Sequence, residues 1–296
     1  MKKFIILIPL YNDWKSVSKL LLQIDLQIKN WEAEISVIIV NDASNEEKSD
    51  LGSNFKKIKL IKILNMKVNR VHQRCIAAGL KYICENEDFD RVIIMDADGE
   101  DRPEELNDFF KKTQENPDMT ITGNRYKRSE GIVFKVLYEL HKILTLTFTG
   151  KLIKFGNFSC LPKEHVTQLI QKPYLWNSYS SSVVKAIDNR TFITSVRGLR
   201  YFLPSKVNFA GLIFHSLTII SVFRNIVIVR SLIFFLFYLF LIFNNISFFT
   251  LLPILFLLIF VVTILKISTR TNIEGLKQSL DNISTIDILQ SSNSRQ

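Results

Sequence analysis

The sequence predicts an α/β protein: a mostly parallel β-sheet with helices on both faces, followed by an interface helix and a two-helix transmembrane hairpin. Three observations carry this. Short runs rich in Ile and Val alternate with amphipathic stretches through the first 125 residues, the pattern of strands buried on both faces and joined by helical crossovers. Many of the 23 Phe crowd into the last third of the 296 residues. Within that third, Ile246–Leu265 is 20 residues without a charge, about the length that crosses the hydrocarbon core of a bilayer.

In chain order, the strand-like runs are Phe4–Ile8, Ile35–Val40, Ile58–Leu64, Arg91–Met95 and Met119–Thr122. Helical patterns fill Trp14–Ile28, Ser44–Leu51, Val68–Glu85 and Pro103–Glu115. The opening MKKFIILIPLYND joins a lysine pair to an apolar run. That run is short, holds Pro9 and meets no small-residue cleavage site, so it reads as a buried strand and not an export signal. Further on, Ile132–Leu152, Lys163–Ile170 and Ser181–Ile187 pattern as helices and Phe192–Val196 as a strand.

Residues 1–206 are thus expected to form the α/β domain. Residues 207–229 are apolar but carry His215 and Arg224, which suits an amphipathic helix lying in the membrane interface. Residues 230–267 form the hairpin, with Ser231–Phe243 and Ile246–Leu265 joined by Asn244-Asn245 and Arg230 snorkelling to the surface. Arg224 and Arg230 before it, and Lys266 and Arg270 after it, place both flanks in the cytosol. A hairpin buried in a soluble core is the competing reading, and the long uncharged run weighs against it. Residues 268–296 read as a polar, poorly ordered cytosolic tail.

The formal net charge of +10 suits an anionic partner, whether nucleic acid, a membrane face or a phosphorylated substrate. The basic residues are scattered and form no nucleic-acid module, so no nucleic-acid partner is expected. Cys75, Cys84 and Cys160 form no CxxC pair, and the four His show no metal-ligand spacing. Neither GxGxxG nor GxxxxGK[ST] occurs, which weighs against a dinucleotide oxidoreductase and a P-loop ATPase.

The strongest chemical signal is MDADGEDRPEEL, where a strand ends and delivers Asp96, Asp98 and Asp101 within six residues. Clustered carboxylates repel unless a cation neutralises them. Mg²⁺ or Mn²⁺ takes carboxylate oxygens and keeps positions open for substrate phosphates. Asp96 and Asp98 can present one carboxylate to a ribose and one to the metal. Asp101 either joins them or caps the helix beginning near Pro103. A second signal is IIVNDAS, which sets Asp42 where a doubly wound sheet offers its ligand crevice. There Ser44 and Glu47 read as a capping box. A third is IPLYND. Tyr11 can stack on a base and Asp13 can bond it, or Asn12 or Asp13 caps the helix that follows.

Together these segments resemble the family 2 glycosyltransferases of GT-A fold. The similarity is closest to the polyprenyl-phosphate sugar transferase branch, which includes dolichyl-phosphate mannose synthase. IPLYND is similar to that family's VPxYNE, IIVNDAS to its VDDGS, and MDADGEDRPEEL to the branch's DxD…DPPE. TGNRYKR resembles GxRxxR, and RYFLPSK resembles RxxGxSK, with Leu203 where the branch has Gly. The resemblance implies that Pro9, Tyr11, Asp13 and Asp42 hold the base and ribose. Asp96 and Asp98 would face the diphosphate and the metal, and Arg125 and Arg128 would neutralise donor or acceptor phosphate. The two arginines can also be read as exposed loop residues. Arg200, Ser205 and Lys206 would contact the acceptor phosphate. A sugar hydroxyl as acceptor would need a general base, for which Asp101 is the nearest candidate.

The implied activity is inverting transfer of a sugar from a nucleotide-sugar to a polyprenyl phosphate, at the cytosolic face of a bacterial inner membrane. A lipid-linked glycan or cell-envelope polysaccharide precursor is the alternative acceptor. A non-catalytic membrane scaffold is a third reading, opposed by the presence of both Asp96 and Asp98. A homo-oligomer is compatible with all three.

Overall fold

The computed structural model describes residues 1–52, 55–127, 132–202 and 209–290. Its eight strands are β1 (Lys2–Leu10), β2 (Ala33–Asn41), β3 (Ile58–Met66), β4 (Arg91–Ile94), β5 (Thr120–Lys127), β6 (Ser159–Pro162), β7 (Arg190–Val196) and β8 (Ile283–Gln290). They form one sheet in the order β7-β5-β6-β4-β1-β2-β3-β8. The central strands β4, β1, β2 and β3 run parallel, with Ile6 opposite both Val37 and Ile93. β6 is antiparallel to β4 and β5, while β7 is parallel to β5.

Alternation along β1 divides the interior in two. Phe4, Ile6, Ile8 and Leu10 pack with α1 (Trp14–Gln27) and α3 (Leu106–Glu115) on one face. Ile5 and Leu7 face the other core, with α2 (His72–Asn86), α5 (Lys163–Ile170) and α6 (Tyr179–Ala186). A side-chain period of two, apolar on both faces, is what a doubly covered parallel sheet requires.

The expected helix over Ser44–Leu51 does not form, and the segment is irregular. Ser44 Oγ accepts the Asn12 N–H at 2.9 Å, and Asn12 Oδ1 accepts the N–H of Asn45 and Glu46. The cap hydroxyl is therefore committed to the loop after β1. The helix expected from Val68 begins only at His72, because Val71 is held at φ 75°. The helix α4 (Ile132–Thr149) stops short of Leu152 at Gly150, whose φ of 68° is the left-handed conformation common after a helix end.

Three apolar helices follow: α7 (Phe209–Ser221), α8 (Arg224–Ile242) and α9 (Phe248–Ser268). The expected interface helix thus ends at Ser221, and the first span begins at Arg224. At about 1.5 Å per residue, α9 is about 30 Å long, enough to cross a bilayer. Both α8 and α9 are long and apolar enough to span. Their large side chains face outward, with Phe240 and Phe249 each 78% exposed. A core helix would hide them, so this chain's own core does not bury the hairpin. Arg230 does not simply snorkel: its guanidinium donates to the carbonyls of Leu146 and Thr147 at the end of α4, where the helix dipole is negative. α4 packs against α7 and α8 and leaves Leu140, Ile143 and Leu146 exposed, so it adds a further apolar surface beside these helices.

As far as Gln290 the tail is ordered, contrary to expectation. It forms α10 (Ile273–Lys277) and then β8, antiparallel to β3 with Leu64 opposite Ile286. Lys48 pairs with Asp287 at 2.9 Å, and Asn65 Nδ2 donates to Thr285 Oγ1 at 3.0 Å. Polar Ser, Thr and Asp side chains on this edge strand masked its alternation. Because β8 belongs to the main sheet, the chain enters and leaves the hairpin on the same side. A chain ending at Asn282 should unfold at a temperature several degrees lower in detergent while still partitioning with membranes. An unchanged thermal midpoint would mean that β8 contributes nothing to the sheet.

Candidate active site

The loops after β1, β2 and β3 meet at the carboxyl edge of the parallel strands, where open α/β sheets bind ligands. Strain gathers there. Asn12, Ala43 and Val71 are the non-glycine residues at positive φ among the described residues, one in each loop. A positive φ is a genuine outlier for a β-branched residue such as Val71. It is held by Asp42, whose carboxylate accepts the N–H groups of Arg70 at 2.7 Å and Val71 at 2.9 Å. Asp42 is 2% exposed, so it organises the neighbouring loop. Pro9 is buried within β1, and the Tyr11 ring is exposed just beyond it.

The acidic segment folds back on itself after β4. Asp101 Oδ2 accepts the Asp96 N–H at 2.9 Å, and Asp98 Oδ1 accepts the Glu100 N–H at 2.9 Å. The turn needs Gly99: its φ is 88°, and a Cβ there would lie 2.7 Å from the Tyr201 ring. Asp101 caps no helix, since the short helix at Pro103–Glu105 has no side-chain cap. Asp13 caps none either.

Cations converge on these carboxylates from three directions. Arg125, on β5, pairs with Asp101 at 3.1 Å. Arg200 bridges two acids, reaching Asp98 Oδ2 at 2.8 Å and Asp13 Oδ2 at 3.1 Å. His72 Nε2, in the first turn of α2, lies 3.1 Å from Asp96 Oδ1, which also accepts from Asn157 Nδ2 at 3.1 Å. Burial opposes the Asp96 charge. His72, Arg125 and Asn157 outweigh it and hold this carboxyl well below the usual range. Burial opposes charge on His72 too, but Asp96 prevails and its pKa is raised. Burial, with the Asp96 charge added, pushes Asp98 up to about 6 and Asp101 up to about 7. Burial and the Asp96 charge thus outweigh the cations at Asp98 and Asp101.

The segment that carries Arg200 is strapped across the acidic turn. Val196 N–H donates to Glu105, Arg197 pairs with Glu100, Gly198 N–H donates to the Glu100 carbonyl, and Tyr201 N–H donates to the Asp98 carbonyl. Lys19 sits 4.5 Å over the Tyr201 ring.

Of the residues singled out in the sequence, Asp13, Asp96, Asp98, Asp101, Arg125 and Arg200 form one connected cluster. Arg128, Ser205 and Lys206 lie outside the described residues, as does Leu203. Sequence reasoning missed His72 and Asn157. The one available signal for His72 was its place just after β3, at the ligand edge of the sheet. Among the described residues no three His, Cys, Asp or Glu are grouped to hold a metal by themselves. Asp96 and Asp98 can supply two carboxylates to a hard cation whose remaining positions go to water and substrate phosphate.

The sequence profile of Glycosyl transferase family 2 matches residues 5–172, more than half of the chain. The undecaprenyl-phosphate 4-deoxy-4-formamido-L-arabinose transferase of Klebsiella pneumoniae is 24% identical over 221 residues, covering 72% of this chain and 65% of that protein. Its counterpart from Photorhabdus laumondii is 23% identical over 219 residues, with the same coverage. The alignment thus spans just under two thirds of these relatives. Mannosyl-3-phosphoglycerate synthase from Rubrobacter xylanophilus superposes with a TM-score of 0.56 at 12% identity, covering 75% of this chain and 72% of that one. Glucosyl-3-phosphoglycerate synthase from Mycobacterium tuberculosis, in complex with Mn²⁺, UDP-glucose and phosphoglyceric acid, gives 0.53 at 10% identity, covering 76% and 80%. At these identities the likeness to the solved structures is one of fold.

In the Asp101–Arg125 pair the carboxylate is buried and the guanidinium mostly so. Arg125→Met should cost roughly 3–5 kcal/mol of stability by leaving Asp101 uncompensated. The double variant with Asp101→Asn should recover much of that loss in thermal unfolding. If it is no more stable than Arg125→Met alone, the pair is not the reason for the loss.

Proposed function

The chain belongs to glycosyl transferase family 2, and from that premise we propose that it is an inverting glycosyltransferase moving a sugar from a nucleotide-sugar to a polyprenyl phosphate at the cytosolic face of a bacterial inner membrane. The observation that carries this reading is the acid cluster with its converging arginines, carried on a domain to which both ends of an apolar hairpin return. Arg200 stands nine residues before α7 begins, so the cluster is tied through the chain to the apolar boundary.

The donor would lie across the loops after β1, β2 and β4. Tyr11 would stack on the base, with Pro9 and Asp42 shaping the floor and Asp13 at the ribose. Mg²⁺ or Mn²⁺ suits the donor set. Asp96 is held ionised, while burial and then the Asp96 charge raise Asp98 and Asp101. Both observations call for a hard cation at Asp96 and Asp98. The Mn²⁺ and UDP-glucose of the mycobacterial synthase support the same assignment. When bound, the ion supplies neutralisation of charge on the departing nucleoside diphosphate.

The protein's own groups supply the rest. Asp98 Oδ2 would exchange its Arg200 contact for the cation. Arg200 and Arg125, with Arg128, Ser205 and Lys206 as further members, would hold phosphate oxygens. The acceptor phosphate oxygen attacks the anomeric carbon as the bond to the nucleoside diphosphate breaks, and one displacement inverts that centre. A phosphate acceptor is already ionised and needs no base. This fits Asp101, which is 1% exposed and has both oxygens engaged by Asp96 N–H and Arg125. The names of the relatives favour the same acceptor.

The reading is tested by incubating the full chain in detergent with UDP-, GDP- and dTDP-sugars and undecaprenyl phosphate, with and without Mg²⁺ or Mn²⁺. A metal-dependent lipid-phosphate sugar is expected with one donor class. Asp98→Asn should lower its rate about 10²- to 10³-fold. Donor turnover onto a lipid-linked glycan but never onto the lipid phosphate would transfer the assignment to the alternative acceptor. No turnover with any donor would defeat the enzyme reading.

A further inference from the structure

The first turn of α2 has two sides. One serves the acid cluster, through His72 on Asp96 and the Arg70 and Val71 amides on Asp42. The other opens into a separate cavity of about 490 Å³ that none of the clustered acids lines. Its walls bring together Arg70, Arg74, Trp176, Arg270 and Ser279. Arg270 lies two residues beyond the end of α9, with its guanidinium 5.0 Å over the Phe214 ring of α7. Arg74 lies 5.1 Å over the Trp176 ring. Each aromatic ring covers one face of a guanidinium and leaves the N–H edge for a ligand.

Two further observations point to an anion. Ser279 Oγ is buried and has no hydrogen-bond partner among the described residues, although buried hydroxyls are normally satisfied. Burial, and then the charges of Arg270 and Arg70, lower the pKa of Arg74, so the three cations raise one another's energy. Glu274 and Asp281 also line the cavity. Glu274 accepts from Gln278 Nε2 at 2.9 Å, a neighbour on the same wall.

We propose that this cavity binds a phosphate group, supplied by an anionic lipid headgroup at the end of α9, and that its occupancy steadies the first turn of α2 behind His72 and Asp42. Guanidinium forks and a hydroxyl match phosphate oxygens. The position of Arg270, where a span meets water beside the apolar face of α7, favours lipid over a soluble source. The inference does not depend on which reaction the acid cluster performs.

The full chain in neutral detergent would be titrated with short-chain phosphatidylglycerol, short-chain phosphatidylcholine and inorganic phosphate, with stoichiometry read by native mass spectrometry. One equivalent of phosphatidylglycerol should bind more tightly than phosphatidylcholine. Arg270→Gln, on an exposed residue, and Arg74→Gln should each weaken it about tenfold. Ser279→Ala serves as a second probe of the cavity, and circular dichroism checks that each variant is folded. Inorganic phosphate binding with equal affinity and the same sensitivity would uphold the phosphate site and overturn the lipid source. Phosphatidylglycerol binding indifferent to both arginine substitutions, or no one-to-one binding of either ligand, would overturn the proposal.

Discussion

Everything at the carboxyl edge of this sheet answers to one electrostatic constraint. β4 ends by placing Asp96 and Asp98 in a half-buried turn with the buried Asp101, and carboxylates that close destabilise each other unless cations stand among them. The chain supplies those cations from three places far apart in sequence: His72 after β3, Arg125 on β5 and Arg200 after β7. Each is delivered by an element whose position the sheet fixes. The strained loops, the strap over Gly99 and the pairing of β5 with β7 all keep these charges in register. Burial and mutual repulsion still raise Asp98 and Asp101, so the turn retains room for one more positive charge.

The apolar C-terminal region is bound to that arrangement by covalent and packing geometry. α7, α8 and α9 each contribute residues to the same core that α2 forms against the sheet. α10 and β8 then return the chain to the outer edge of β3. A hairpin anchored at both ends cannot tilt freely relative to the domain. The arginines near its ends are engaged: Arg230 on the carbonyls of α4 and Arg270 over Phe214. The apolar helices and the acid cluster are therefore held at a fixed separation, as the proposed transfer to a membrane-borne acceptor would require.

Much of this was legible in the sequence. The Ile- and Val-rich strands, the two uncharged apolar runs and the paired Asp96 and Asp98 each carry a local signal that the fold preserves. Asp13, Arg125 and Arg200 were recognisable through similarity to known motifs, and the structure brings them to the same cluster. Several of the failures share a cause, a partner distant in sequence. Ser44 looked like a helix cap until Asn12, 32 residues away, claimed its hydroxyl. β8 looked like a disordered tail because its polar face is satisfied by Lys48 and Asn65. His72 and Asn157 carry no motif of their own, and only the folded sheet sets them against Asp96.

The central claim is that the turn of Asp96 and Asp98 takes a divalent cation together with the donor's diphosphate. Its most direct test is electron paramagnetic resonance of Mn²⁺ titrated into the full chain in detergent, with and without UDP. The account predicts a bound-Mn²⁺ signal that strengthens when UDP is present and disappears in Asp98→Asn. Mn²⁺ binding that is indifferent both to UDP and to that substitution would contradict it.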